Sequence, residues 1–138
     1  MQDVVFYVLN SSDFSARERF LAKLLAKTQQ QQRRVDVRFA QLQDAQRFDQ
    51  TLWSLPAQGY MPHAIAHELD APIQLFAQTI KSPCDDVLIN LHPDFYAPFT
   101  RYQRTIELLD QSVELIEKGR QRWREYKQAG FEPIVHKI

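Results

Sequence analysis

The chain has 138 residues, 44% of them hydrophobic and 25% charged, and its 17 basic side chains are balanced by 17 acidic ones. That length supports one domain with its own core, residues 1–138, and the composition is globular rather than disordered. Zero net charge argues against nucleic-acid binding by the body of the chain, and the single Cys84 excludes an internal disulfide and fits a reducing, cytoplasmic setting.

Val4-Val5-Phe6-Tyr7-Val8-Leu9 is an unbroken apolar run ahead of Asn10-Ser11-Ser12-Asp13, which predicts a central strand buried on both faces and then a turn. No charged n-region with an apolar h-region opens the sequence, and no apolar run approaches a membrane span. Ser15 and Glu18 have capping-box spacing, and Phe20, Leu21, Leu24 and Leu25 form the buried face of a helix running to about Gln31. Val35-Asp36-Val37-Arg38-Phe39 alternates and predicts a strand with one wetter face. Ala45, Phe48, Leu52 and Trp53 then recur at helical spacing until Pro56 stops the helix.

The segment from Pro56 to Pro72 holds Gly59 and Pro62 and is expected to be mostly loop, with a short helical turn near Ala64. Ile73–Phe76 and Val87–Leu91 read as strands, the second a buried one, and Phe95, Tyr96 and Phe99 as a short packed segment. Thr105–Leu109 alternates weakly and suits an edge strand leading into a final helix. Together these predict a single α/β domain with a mostly parallel sheet of about five strands and helices on both faces.

Such a sheet invites a nucleotide-binding reading, but Gly59, Gly119 and Gly130 are the only glycines and none follows a strand, so no phosphate cradle is expected. His63 and His67 have the spacing of two ligands on a helical face, yet the prolines around them undercut the helix and the H-E-x-x-H pattern is absent. His63 is expected to hydrogen-bond a loop and His67 to be exposed. There is no G-x-S-x-G elbow, Cys84 has no base near it in sequence, and Asp85 and Asp86 read as turn residues. No catalytic, cofactor or metal constellation emerges. A small α/β enzyme with a site at the carboxyl ends of the strands, near Asn10 and His92, stands as the alternative to a binding protein.

The last helix, about Asp110 to Gly130, carries the most distinctive pattern. At about 100° per residue, Ile116, Gly119, Trp123, Tyr126 and Gly130 share one sector, and Arg120, Arg124 and Lys127, with Val113, fall in the next. Lys118, Arg122 and Glu125 read as a solvated face. A cationic stripe beside an aromatic one suits an acidic peptide with an apolar anchor; the alternative is an ordinary amphipathic helix whose long cations snorkel over its edges. Trp53 likewise has two readings, as a core residue or as a partly exposed protein anchor in one segment with Tyr60.

Two stretches, L-W-S-L-P-A-Q-G-Y-M-P-H at residues 52–63 and R-W-R-E-Y-K-Q-A-G-F at residues 122–131, resemble the family of chi subunits of the bacterial DNA polymerase III holoenzyme. The opening V-F-Y-V-L and the strand D-V-L-I-N-L fit the same family in order and spacing, so the resemblance covers nearly the whole chain. It implies a non-catalytic accessory subunit that bridges the clamp loader, through the psi subunit, to the acidic C-terminal tail of single-stranded-DNA-binding protein. No direct nucleic-acid contact and no membrane association are implied. The family's tail-binding surface matches Arg120, Trp123, Arg124 and Lys127, with Val113 and Ile116 beside them. Trp123 stands where relatives can carry tyrosine, and Ile116 where the family pattern has a basic residue, with Lys118 nearby. The family's psi-binding surface matches Trp53, Tyr60, Pro62 and His63, and in some relatives it also serves a repair helicase.

Overall fold

The computed structural model describes residues 2–54, 61–77 and 79–138. Its elements, in chain order, are β1 (Asp3–Val8), α1 (Phe14–Gln30), β2 (Val35–Arg38), α2 (Leu42–Trp53), β3 (His63–Ile65), β4 (Ile73–Phe76), β5 (Val87–Asn90), a 3-10 helix (Ala97–Arg101), β6 (Arg104–Leu109), α3 (Val113–Gln128) and β7 (Ile134–Lys137). Among the described residues the strands form one seven-stranded sheet in the order β3-β4-β2-β5-β6-β1-β7. Every pairing in it is parallel. No described helix is long and apolar enough to cross a membrane.

The expected α/β class holds, with two strands more than anticipated. One is β3, three residues long, where loop and a helical turn near Ala64 were expected; the other is β7, whose residues are exposed throughout. The strand at Thr105–Leu109 is not an edge. β6 lies between β5 and β1, and its alternation is weak because both of its faces are buried.

Helices α1 and α2 cover one face of the sheet. Leu21, Ala22 and Leu25 of α1 and Ala45, Phe48 and Leu52 of α2 pack on Val37, Leu75, Ile89 and Leu108. Each of the leucine, valine, isoleucine and phenylalanine side chains contributes about 1.5–3 kcal/mol by leaving water, and the alanines less. Helix α1 starts two residues earlier than a Ser15 cap would have it. Asp13 is the N-cap and its carboxylate accepts from the Ser15 amide at 3.0 Å, while Glu18 instead pairs with Arg47 of α2 at 2.9 Å. A carboxylate outcompetes a hydroxyl for the free amides of a first turn, which is why the cap sits at Asp13.

Helix α3 and the 3-10 helix cover the other face, over Val4, Phe6 and Leu88. Tyr126 is the hub, edge-on to Phe6, Phe95 and Phe99 with centroids 5.8, 5.1 and 4.9 Å away. Polar side chains are also buried on this face. Asp36 and Arg38, expected on a wetter strand face, are 0% and 8% exposed. Asp36 Oδ2 accepts from the Tyr102 hydroxyl at 2.7 Å and from the Cys84 amide at 3.0 Å. Arg38 donates to Asn90 Oδ1 and to the Asp94 carbonyl, and its guanidinium lies 4.7 Å from the Tyr96 ring centroid.

The strongest of these polar clusters centres on Glu107, which is fully buried in β6. Its Oε1 accepts from Arg122 Nε at 2.9 Å, and its Oε2 accepts from the Tyr126 hydroxyl at 2.6 Å and Asn90 Nδ2 at 3.0 Å. Arg122 also donates to the Pro93 carbonyl at 2.6 Å. Arg122 is therefore not on a solvated face: it is 3% exposed. It lies only about 40° around the helix from Tyr126, so the buried sector of α3 is turned toward it. Burial pushes the Glu107 carboxyl upward from its ordinary range, and the adjacent guanidinium pulls it back.

Removing one member of this pair strands the other in an apolar interior. Glu107→Ala should cost about 3–5 kcal/mol in urea unfolding, and the double variant Glu107→Leu, Arg122→Leu should cost clearly less than the sum of the two single leucine variants. Additive losses would show that the pair is not coupled. A second expectation concerns Asp36, whose Oδ1 is buried with no hydrogen-bond partner among the described residues. Burial raises its carboxyl, against the donors on Oδ2. The folded chain then holds more protons than the unfolded one between the two pKa values, so this group makes stability fall as pH rises through that window. Asp36→Asn removes that component. Its stability relative to the parent should improve as pH rises above the ordinary carboxylate range of about 4. A pH-independent difference in urea unfolding would contradict this.

Candidate functional site

A groove of about 600 Å³ lies between α3 and the sheet edge formed by β1 and β7. Phe6 and Val8 of β1 and Leu109 of β6 form its floor, and Ile116 and Trp123 of α3 face Val135 of β7 across it. Gly119 lets the helix approach this closely: a Cβ there would overlap Leu109 Cδ1 and sit 3.1 Å from Cδ2. One end of the groove reaches Asn10 and Gln111, just beyond β1 and β6. The chain leaves β1 into α1 on one face and β6 into α3 on the other, so this end is the switch point where α/β sheets open a crevice. Gln111 spans it, donating from Nε2 to the Leu9 carbonyl at 2.9 Å.

Of the residues anticipated for a tail-binding surface, Ile116, Arg120, Trp123 and Arg124 line this groove together. Trp123 is 38% exposed, so its ring is half wall and half accessible surface. Among the described residues no carboxylate pairs with Arg120 or Arg124, and both are exposed. Lys127 is placed differently. Its Nζ meets Glu132 Oε1 at 2.6 Å and lies 5.2 Å from the Trp123 ring centroid, outside the groove lining. Val113 opens α3 and projects into solvent, also outside the lining. Sequence reasoning missed the sheet's share of the groove, above all Val135 and Lys137 of β7. The β-branched pair Ile134-Val135 directly after Pro133 is the signal that could have marked that strand.

The second anticipated surface lies at the opposite edge of the sheet. Trp53, the last residue of α2, is 57% exposed, with its ring centroid 4.8 Å from that of His63. His63 is buried in β3, with Nδ1 2.7 Å from the Met61 carbonyl and Nε2 3.1 Å from Asp49 Oδ1. Pro62 is adjacent and half-buried, and Tyr60 lies outside the described residues. Trp53 therefore takes the exposed reading, held against a fixed histidine. His67 is exposed in the turn after β3, its Nε2 2.9 Å from the Lys81 carbonyl.

The residues named for an enzyme site are not brought together. Asn10 follows β1 and His92 follows β5, with β6 between them, so about 10 Å of sheet separates the two ends. His92 Nδ1 accepts from the Asp94 amide at 3.0 Å, and burial together with Arg38 lowers its pKa. Burial pushes the Cys84 thiol up to about 11, which leaves it a poor nucleophile. A smaller cavity, about 210 Å³, lies between the starts of α1 and α2 at the carboxyl ends of β2 and β6. Its arginine Arg47 is already paired with Glu18, and Arg47 and Arg17 both lie over the Phe14 ring, at 4.6 and 5.3 Å.

Comparison with known proteins identifies the family of the chain. Residues 1–133 match the family model described as DNA polymerase III chi subunit, HolC. The chain is similar to the DNA polymerase III subunit chi of Escherichia coli (strain K12), 27% identical over 139 aligned positions that cover 95% of each chain. It is similar also to the DNA polymerase III subunit chi of Pseudomonas aeruginosa, 28% identical with 100% of this chain and 98% of that one covered. With the family's model matched along almost its entire length, the chain belongs to the DNA polymerase III chi subunit family.

Proposed function

We propose that this chain is a non-catalytic accessory subunit of the replication machinery that binds the acidic C-terminal tail of single-stranded-DNA-binding protein on one surface. On a second surface it binds the psi subunit of the clamp loader. The observation that carries the first part is the pairing of two uncompensated arginines with an apolar groove. Arg120 and Arg124 have no carboxylate partner among the described residues, and they border a cavity floored by Phe6, Val8 and Leu109. A free guanidinium offers a planar fork of donors that matches a carboxylate, and no internal salt bridge must first be broken. The adjoining slot beside Trp123 can take an aromatic or aliphatic side chain at the end of such a tail. Membership of the chi family supports the same reading. Val113, Ile116 and Lys127 complete the anticipated surface, Ile116 as groove wall and the others on its flank.

For the psi subunit the reading rests on Trp53. A large aromatic side chain more than half exposed and packed at a tilt against a histidine fixed by Asp49 and Met61 is a pre-organised anchor for a partner's apolar side chain. Pro62 and His63 belong to the same surface, and Tyr60 is included from the sequence resemblance.

Arg120→Ala should weaken binding of a tail peptide ending in an Asp-Phe-type pair by roughly ten- to hundredfold, the equivalent of about 1.5–3 kcal/mol for a charge-assisted hydrogen bond. Because Arg120 is exposed, its melting temperature should not change. Calorimetric titration at low salt reads both points, and failure of the parent protein to bind such a peptide would defeat the proposal. Trp53→Ala should cost roughly 2 kcal/mol of affinity for the psi subunit and leave tail-peptide affinity unchanged. Loss of both affinities together would mean that the substitution acts through the fold.

A further inference from the structure

We infer that strand β7 forms one side of the acidic-tail site and that Lys137, not Lys127, supplies its third cation. This inference rests on the tail-binding reading above. Strand β7 begins at Ile134, just past the residues that the family model matches.

The register of the outer strand pair sets the geometry. Phe6 lies opposite Val135 and Val8 opposite Lys137, and Phe6 and Val8 point into the groove. Side chains opposite one another in a parallel pair share a face, so Val135 and Lys137 turn toward the groove, while Ile134 and His136 turn to the face that α1 covers. The stacking of His136 on Tyr7, with centroids 5.4 Å apart, and the tilted contact of Tyr7 with Phe20 of α1 agree with this alternation. Lys137 therefore stands on the rim opposite Arg120 and Arg124, and a peptide lying in the groove has guanidiniums on its helix side and an ammonium on its strand side.

Lys127 is poorly suited to the same task. It is held by Glu132, whose carboxylate cancels its charge locally, and its ammonium lies against Trp123. Recruiting it would require breaking that pair. Lys137 has no carboxylate partner among the described residues. It is the register partner of Val8, and its exposed side chain can reach a carboxylate from the side that the arginines do not occupy. An acidic tail with carboxylates on successive residues presents charge to both rims, because alternate side chains of an extended segment point in opposite directions.

The test is calorimetric titration of the acidic tail peptide into the parent protein, Lys137→Glu, Lys127→Glu and Arg120→Ala at one low ionic strength. Lys137→Glu should weaken binding about tenfold and Lys127→Glu by less than about threefold, since reversing an unpaired rim charge acts directly on the ligand. Backbone amide signals of residues 134–137 in the parent protein should shift on peptide addition, a readout independent of any variant. If Arg120→Ala loses affinity while Lys137→Glu binds as the parent does and the β7 amides stay unmoved, the inference is overturned and the tail site belongs to α3 alone. If Arg120→Ala also binds as the parent does, the tail-binding reading itself fails, and this inference with it.

Discussion

The buried ion pair between Glu107 and Arg122 fixes how the most distinctive helix of this protein lies. Carboxylate and guanidinium are both almost fully removed from water, and Tyr126, Asn90 and the Pro93 carbonyl take up remaining hydrogen bonds. Such a pair tolerates little displacement, because any shift leaves a charge without its partner in a medium that solvates it poorly. It therefore sets the rotation of α3 about its own axis. With Arg122 and Tyr126 pointed at the sheet, Trp123 is carried to the flank and Arg120 and Arg124 to the rim above the groove. The candidate binding stripe and the structural anchor are neighbours on one helix, and the second dictates where the first can point.

Close approach is the other half of that arrangement. Gly119 lies one turn from Arg122 and lets the helix backbone settle against Leu109, so the groove is shallow at its floor and walled by the helix itself. Elsewhere the sheet face beneath α3 combines aromatic side chains with a polar row running from Arg38 through Asn90 to Glu107 across three adjacent strands. Polar rows of this kind oblige each strand to take one register, since a slip by one residue would bury unpaired charge on the opposite, mainly apolar face.

Most of the architecture was legible in the sequence. The apolar runs at Val4–Leu9, Ile73–Phe76 and Val87–Leu91 and the helical periodicities of α1 and α2 all correspond to elements found. What was misread involved long-range partners. Asp36, Arg38, Thr105, Glu107 and Arg122 look like solvent-facing residues when only neighbours in sequence are considered, yet each is buried. Their counterparts, such as Tyr102 for Asp36 and Glu107 for Arg122, lie on other elements, and periodicity carries no information about them. The groove was half legible for the same reason. Its helical side follows from spacing along α3, whereas its strand side depends on β7 adding to β1 from the far end of the chain.

The order of the strands has one more consequence. The groove borders β7, and Trp53 with His63 borders β3, the first and last strands of the sheet. Six inter-strand steps of about 4.8 Å each separate these edges by roughly 29 Å. The material between them is a parallel sheet packed by helices on both faces. Ligands seated at its two ends can neither touch nor bias a shared switch, so their binding free energies should simply add. If two molecules are held at its ends as proposed, the sheet would act as a rigid spacer, giving them a fixed distance and a raised local concentration of each near the other.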